Sequence, residues 1–311
     1  MKKIWVGVIL IALVVSLGLG TGFAAKKKYN FVFVSPLVAN AYWDVVEAGT
    51  EDAAKDFKVN VQYVGTTSLD LNEWMKYIET AISQRVDGIA TMALNEDAIK
   101  PLIDKAKANR IPVVLVDTDS PKSARISYAG TNNFEAGKML GQALAKLTNG
   151  NAKIGLMTGA LDQPNLNLRL DGFKEGIKPY PNMQIVAFDG DNSDLQLCIQ
   201  KAEAMLRAHP EINALVGTEG FGVPGLGRVV KENDKVGKIT VVGFDDLADT
   251  LAFIKEGTAQ ATVVQRQYKM GYMSIQILND IKRGKKVKSV YDTGTVVLTK
   301  DNVSTFKATA K

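Results

Sequence analysis

A set of hydrogen-bonding residues recurs directly after short apolar runs, where a strand end would present them. Ser35 closes the first run and leads to Asn40, Tyr42 and Trp43. Asp117, Thr118 and Asp119 close a later one, Glu219, Asp245 and Gln265 follow three more, and Arg169 stands near the start of a helical segment. Carboxylates accept paired hydrogen bonds from vicinal hydroxyls, Asn and Gln both donate and accept, and Arg donates several at once. Tyr and Trp add flat apolar faces that suit the C–H face of a ring. Such a set describes a ligand rich in hydroxyl groups. Taken singly, each residue reads equally well as a helix cap or turn, since Asp and Asn favour N-caps for local reasons. The repetition of the pattern at several strand ends is what caps alone do not explain.

Bond-breaking chemistry has few candidates. The chain holds one histidine, His209, and one cysteine, Cys198, so no Ser/His/Asp set, Cys/His pair or zinc spacing assembles, and no metal site is expected. His209 stands beside Pro210 at a helix end, and Cys198 within Leu195-Gln-Leu-Cys-Ile199 reads as a buried small hydrophobe. Gly220-Phe-Gly-Val-Pro-Gly225 matches a dinucleotide fingerprint, but it follows roughly the seventh strand instead of the first, and Pro224 marks a helix start. No cofactor is expected. Asp117 and Asp245 keep a glycoside-processing enzyme open as a lesser alternative.

These residues need a scaffold of parallel strands covered by helices. β-branched runs at 30–35, 59–64, 87–92, 111–117, 152–157, 184–188, 214–217, 239–244 and 259–264 predict strands. Segments 73–82, 133–144 and 265–284 predict helices, the first with Trp74, Tyr77, Ile78 and Ala81 on one stripe, and 126–131 and 290–299 read as extended chain. That many βα units exceed one comfortable sheet, so the expected fold is α/β with two Rossmann-like lobes, parallel sheets flanked by helices. The expected division is 26–131 plus 266–294 for the first lobe and 132–265 plus 295–311 for the second, joined by a hinge without a Pro/Ser-rich linker. In open parallel sheets, ligands sit beyond the carboxyl ends of the strands, where the polar residues above fall.

The first 25 residues carry an address. Lys2 and Lys3 precede an apolar run from Ile4 to Leu19, and a small-residue tail with Gly22-x-Ala24 follows. This pattern predicts a signal peptide over 1–24, cleaved near Ala24, and a periplasmic product. A retained membrane anchor is the alternative. Removal leaves about 286 residues, enough for two medium domains, and a single cysteine permits no internal disulfide. The formal charge of +5 partly reflects the signal lysines and Lys26-Lys27-Lys28, so no nucleic-acid partner is expected.

Several motifs together resemble the periplasmic sugar-binding proteins of the ribose-binding type. They are Phe33-Val-Ser35 with Asn40-Ala-Tyr-Trp43, Ile111-Pro-Val-Val-Leu-Val-Asp117, Arg169-x-x-Gly-Phe173, Ala208-His-Pro210, Val241-Val-Gly-Phe-Asp245 and Ala261-Thr-Val-Val-Gln265. The resemblance covers essentially the whole mature chain. It implies two lobes joined by three crossovers, a sugar or polyol clamped between them, and delivery by a monomer to the permease of an ABC-type importer, with a chemoreceptor as a further partner. A sensor that hands its ligand to a chemoreceptor or membrane kinase, and a repressor-type regulator core, share the plan. The resemblance places Ser35, Asn40, Tyr42 and Trp43 on the first lobe's rim and marks Asp117, Arg169, Asp245 and Gln265 as ligand hydrogen-bonding residues. The sequence departs from the ribose-binding pattern in three places. Thr118 and Asp119 stand where ribose binders carry an Arg after the Asp, Glu219 where they carry an Asn, and Ser193 or Asp194 near a position they fill with an aromatic ring. The pocket is therefore expected to be more acidic than a ribose site, which admits another aldose, a sugar alcohol, a cyclitol or an amino-bearing ligand.

Overall fold

A computed structural model describes residues 28–307; the expected signal peptide over 1–24 and the last four residues lie outside the described chain. Two six-stranded sheets organise it. The first is built from β1 (Asn30–Ser35), β2 (Asn60–Gly65), β3 (Gly88–Thr91), β4 (Val113–Val116) and β5 (Ser127–Gly130), alternating with α1 (Ala41–Phe57), α2 (Leu71–Ser83) and α3 (Glu96–Ala108). The second follows as α4 (Asn133–Leu147), β6 (Asn151–Thr158), α5 (Pro164–Ile177), β7 (Asn182–Gly190), α6 (Leu195–Ala208), β8 (Ala214–Gly217), α7 (Gly222–Glu232), β9 (Thr240–Phe244), α8 (Ala248–Glu256) and β10 (Ala261–Gln265). The chain then returns as α9 (Gln267–Lys282), β11 (Val290–Asp292) and β12 (Thr295–Thr299).

Strand order is β11-β5-β4-β3-β1-β2 in one sheet and β12-β10-β9-β8-β6-β7 in the other. Helix α9 packs on α1 and the first sheet, and β11 extends that sheet, whereas β12 closes the second. The chain thus passes between the sheets three times, after Gly130, after Gln265 and after Asp292. Thr131 Oγ donates to Gln265 Oε1 at 2.9 Å and ties two of these passages together.

The two-lobe α/β expectation matches this architecture, and most strands fall within two residues of their predicted ends. Their continuous burial is the reason, since β3, β4, β5 and β8 are buried at every position, the pattern of a parallel strand covered on both faces. Two features differ. The extended segment 290–299 breaks at Thr293-Gly294, where Gly294 adopts φ 79°, and its halves serve different sheets. The second half, β12, runs antiparallel to β10, with Ala261 opposite Thr299 and Gln265 opposite Thr295.

Each sheet has a core on both faces. In the first lobe Trp74, Ile78 and Ala81 of α2 pack on one side, with Tyr77 at the margin, while Phe31, Phe33 and Trp43 meet Met270 and Leu278 of α9 on the other. Cys198 is fully buried in the second lobe. The glycines of the fingerprint-like segment are used in packing: a Cβ on Gly222 would lie 2.6 Å from the Cα of Gly217, and one on Gly225 2.5 Å from Cys198 Sγ. They let α7 lie close on β8 and α6. His209 caps α6, its amide donating to Met205 O and its ring facing Glu211.

Candidate functional site

The carboxyl ends of both sheets border one cleft of about 530 Å³. Its walls include Asn40, Tyr42, Trp43 and Asp117 from the first lobe and Arg169, Ser193, Glu219, Asp245 and Gln265 from the second. Three further sequence-predicted residues lie outside this lining. Ser35 is fully buried and donates its hydroxyl to Leu37 O at 2.6 Å. Thr118 is likewise buried and donates to Asp117 Oδ2 at 2.9 Å, so it orients the carboxylate from behind. Asp119 turns away to pair with Arg125, accepting from both Nε and, at 2.6 Å, Nη2.

Asp117 and Asp245 occupy matching places, each just beyond the fourth strand of its lobe, with φ of 57° and 66° respectively. A non-glycine residue in this left-handed region is strained, and Asp tolerates it better than most. Both are nevertheless buried and held by neighbours. Tyr42 donates to Asp117 Oδ1 at 2.7 Å, and Tyr128 donates to the Asp117 carbonyl at 2.7 Å. Gln265 donates to Asp245 Oδ1 at 3.0 Å, and Thr262 donates to the Asp245 carbonyl at 2.8 Å. Each carboxylate oxygen keeps lone pairs for a ligand, in a fixed direction.

Arg169 is only 2% exposed. Its Nε donates to Asn133 Oδ1 at 2.8 Å and its Nη1 to Thr218 O at 2.9 Å, while the guanidinium lies 4.3 Å from the centre of the Phe244 ring. These contacts leave Nη2 for a ligand. Asn40 caps α1 through Tyr42 and Trp43 amides, so its side chain serves the helix as well as the rim. Tyr42 meets Trp43 edge-on at 5.2 Å.

Burial governs the acids here. The Asp245 carboxyl is pushed up to about 6, with Asp246 and Asp117 adding to burial while Arg169 and Gln265 oppose it. Burial and then Asp191 push Glu219 up to about 8. Tyr42 is raised by burial and by Asp117, which keeps it a neutral donor. Against the carboxyls of Glu96, Asp97, Asp117, Asp162, Glu219 and Asp245 the lining offers one cation among the described residues, Arg169. A ligand carrying a phosphate or carboxylate meets repulsion there.

The periplasmic binding protein domain model matches residues 31–286, which takes in every strand that borders the cleft. This chain belongs to the periplasmic binding protein family. The family binds solutes and is not catalytic. Among solved structures, the chain is 36% identical to GanP, a glucose-galactose binding protein from Geobacillus stearothermophilus, with TM-score 0.87 over 89% of this chain and 99% of that one. It is 32% identical to an ABC transporter solute-binding protein from Burkholderia graminis in complex with D-arabinose, with TM-score 0.84 over 90% and 98% of the two chains. A curated relative, the xylose/arabinose-binding protein XylF of Sulfolobus acidocaldarius, is 25% identical over 79% of this chain and 64% of its own length.

Within this periplasmic binding protein, the cleft also includes residues that the strand-end rule misses. Asn165 follows Pro164 at the start of α5, and Asn95 caps α3. The rule looks immediately after each strand, whereas the chain runs from Gly159 to Gln163 before α5 begins. Pro at the first helical position is the available signal. Asp119 provides a contrast. Asp119→Ala is expected to leave ligand affinity within about twofold, because its carboxylate faces Arg125. The same change should lower stability by about 1–3 kcal/mol, since the Arg125 side chain, 7% exposed, loses its partner. Paired calorimetric and urea-unfolding titrations check both halves.

Proposed function

We propose that this protein captures a neutral monosaccharide or polyol in the cleft, in the periplasm, and delivers it to the membrane permease of an ABC-type importer. The observation that carries the reading is the matched pair Asp117 and Asp245. Two pre-oriented carboxylates, one from each lobe, with Arg169 between donors and acceptors, suit vicinal hydroxyls approached from both sides. A lining whose described cations come down to Arg169, facing six carboxyls, argues against an anionic ligand. Three chain passages between the lobes suit a bending motion about a hinge, and closure would remove the ligand from water. The names of the relatives, binders of glucose, galactose, arabinose and xylose, support a sugar ligand.

A thermal-shift panel of D-glucose, D-galactose, D-arabinose, D-xylose, D-ribose, glycerol and inositol, with D-glucose 6-phosphate and D-glucuronic acid beside them, tests it. At a thousandfold excess over Kd the correct ligand adds about 4 kcal/mol, a rise of about 7 °C for a chain of this size. Shifts only with sugar phosphates or uronic acids would overturn the reading.

A further inference from the structure

The second lobe's corner of the cleft holds two buried polar atoms that the described residues leave unsatisfied. Glu219 is 8% exposed and its Oε1 has no hydrogen-bond partner among them; Asn165 is 5% exposed and its Oδ1 has none. Both residues line the cleft, as does Ser193. The backbone of Gly159 backs this corner: a Cβ there would lie 2.9 Å from Ser193 Oγ and 3.4 Å from Glu219 Cγ. Buried polar atoms left without partners cost stability, and because these two residues line the cleft, a ligand can supply the missing partners.

What surrounds Glu219 decides which kind of atom. Beyond β7, Asp191 is fully buried, with Oδ1 accepting from the Ser193 amide at 2.9 Å and its carboxyl facing the Cys198 thiol. Beyond β9 stands Asp245, and from α6 comes the Cys198 thiol, itself pushed up by burial and by Asp191. Asp162 and Asp117 line the same cleft, from the loop before α5 and from the first lobe. On the other side are the Phe221 amide and Arg169, whose Nε and Nη1 are already committed and whose charge also serves Asp245. An ionised Glu219 would therefore be desolvated beside two other acids that share one guanidinium. The carboxyl holds its proton up to about 8.

We propose, on the reading of the cleft as a sugar site, that Glu219 is a specificity-determining residue that enters the complex protonated and donates its O–H to an uncharged ligand oxygen, while Asn165 Oδ1 accepts from a neighbouring hydroxyl. The affinity then has a plateau near pH 7 to 8. Above about 8 it falls about tenfold per pH unit as the Glu219 donor is lost, and below about 6 it falls as the Asp245 carboxylate takes up a proton.

Calorimetry with the tightest neutral sugar of the panel, from pH 6 to 9.5, reads this directly. Glu219→Gln keeps a donor of the same shape without a titrating proton. It is expected to bind within about threefold of the wild type at pH 6.5 and with no fall at high pH. On the wild type alone, titrations in buffers of different ionisation enthalpy should show no proton release at pH 7 and proton uptake at pH 8.5, a readout that stands if the variant does not fold. Affinity that is unchanged or rises between pH 8 and 9.5, or proton release on binding at pH 8.5, would overturn the proposal. Failure of the wild type to bind any sugar of the panel would overturn the sugar reading itself, and this proposal with it.

Discussion

Replacing Asp245 with Asn is expected to abolish practical ligand binding while making the ligand-free protein more stable. Asn keeps the shape and accepts the left-handed backbone at φ 66°, so the loop beyond β9 is preserved. It loses the charge-assisted hydrogen bonds that a carboxylate makes with two hydroxyls. Each is worth about 1.5–3 kcal/mol, and the pair corresponds to at least about a hundredfold in affinity. The stability gain follows from the sign of the titration. The folded carboxyl is pushed up from 3.8 to about 6 by burial. Such an acid begins to cost the fold as pH rises past its unfolded value and costs it in full above the folded one. At pH 7 the difference amounts to up to about 3 kcal/mol, and it disappears below about pH 4. Urea titrations of the ligand-free wild type and variant at pH 7 and pH 3.5, together with calorimetry, test both parts. Undiminished sugar affinity, or a variant less stable at pH 7 than the wild type, would count against the assignment of Asp245 as a strained, desolvated ligand-binding group.

That conflict between stability and binding explains what is legible in the sequence. Strands such as Ala214–Gly217 and Thr240–Phe244 announce themselves because burial on both faces demands unbroken apolar runs. The polar residue that ends such a run is conspicuous, which is why Asp117, Glu219, Asp245 and Gln265 stand out from the amino-acid order alone. Direction is harder to read than position. Ser35, Thr118 and Asp119 sit at equally conspicuous strand ends, yet their side chains go to Leu37, to Asp117 and to Arg125. The partner that captures Asp119 stands six residues away, in a loop whose course no periodicity encodes. Asn165 is hidden for the opposite reason: it belongs to a helix start, where Asn is common for local causes. The antiparallel β12 escapes because a five-residue apolar segment shows no trace of its direction, and only the turn at Gly294 distinguishes it from β11.

The close approach of α4 to α5 carries the other large effect, because it links the core of the second lobe to the position of Arg169. A Cβ on Gly137 would lie 2.0 Å from Arg169 O, and one on Gly172 1.9 Å from Phe134 O, both backbone atoms that no rotamer change can move aside. At an exposed helical site, Gly→Ala gains about 0.5–1 kcal/mol. Here the sign reverses: Gly137→Ala must part the helices and is expected to cost about 2–4 kcal/mol, lowering the melting temperature by about 3–7 °C. The same displacement reaches the cleft. Asn133, one turn before Gly137, accepts from Arg169 Nε at 2.8 Å, so moving α5 off α4 breaks the contact that aims the guanidinium. Ligand affinity should fall at least about tenfold, the worth of one charged hydrogen bond. Gly176→Ala separates the two consequences. It meets Lys138 O at 2.4 Å on the same interface but two turns beyond Arg169, and should destabilise with little loss of affinity. If Gly137→Ala melts at or above the wild-type temperature, the helices are not held in backbone contact; if both variants lose affinity equally, the interface does not aim Arg169 locally and the loss reflects the lobe as a whole.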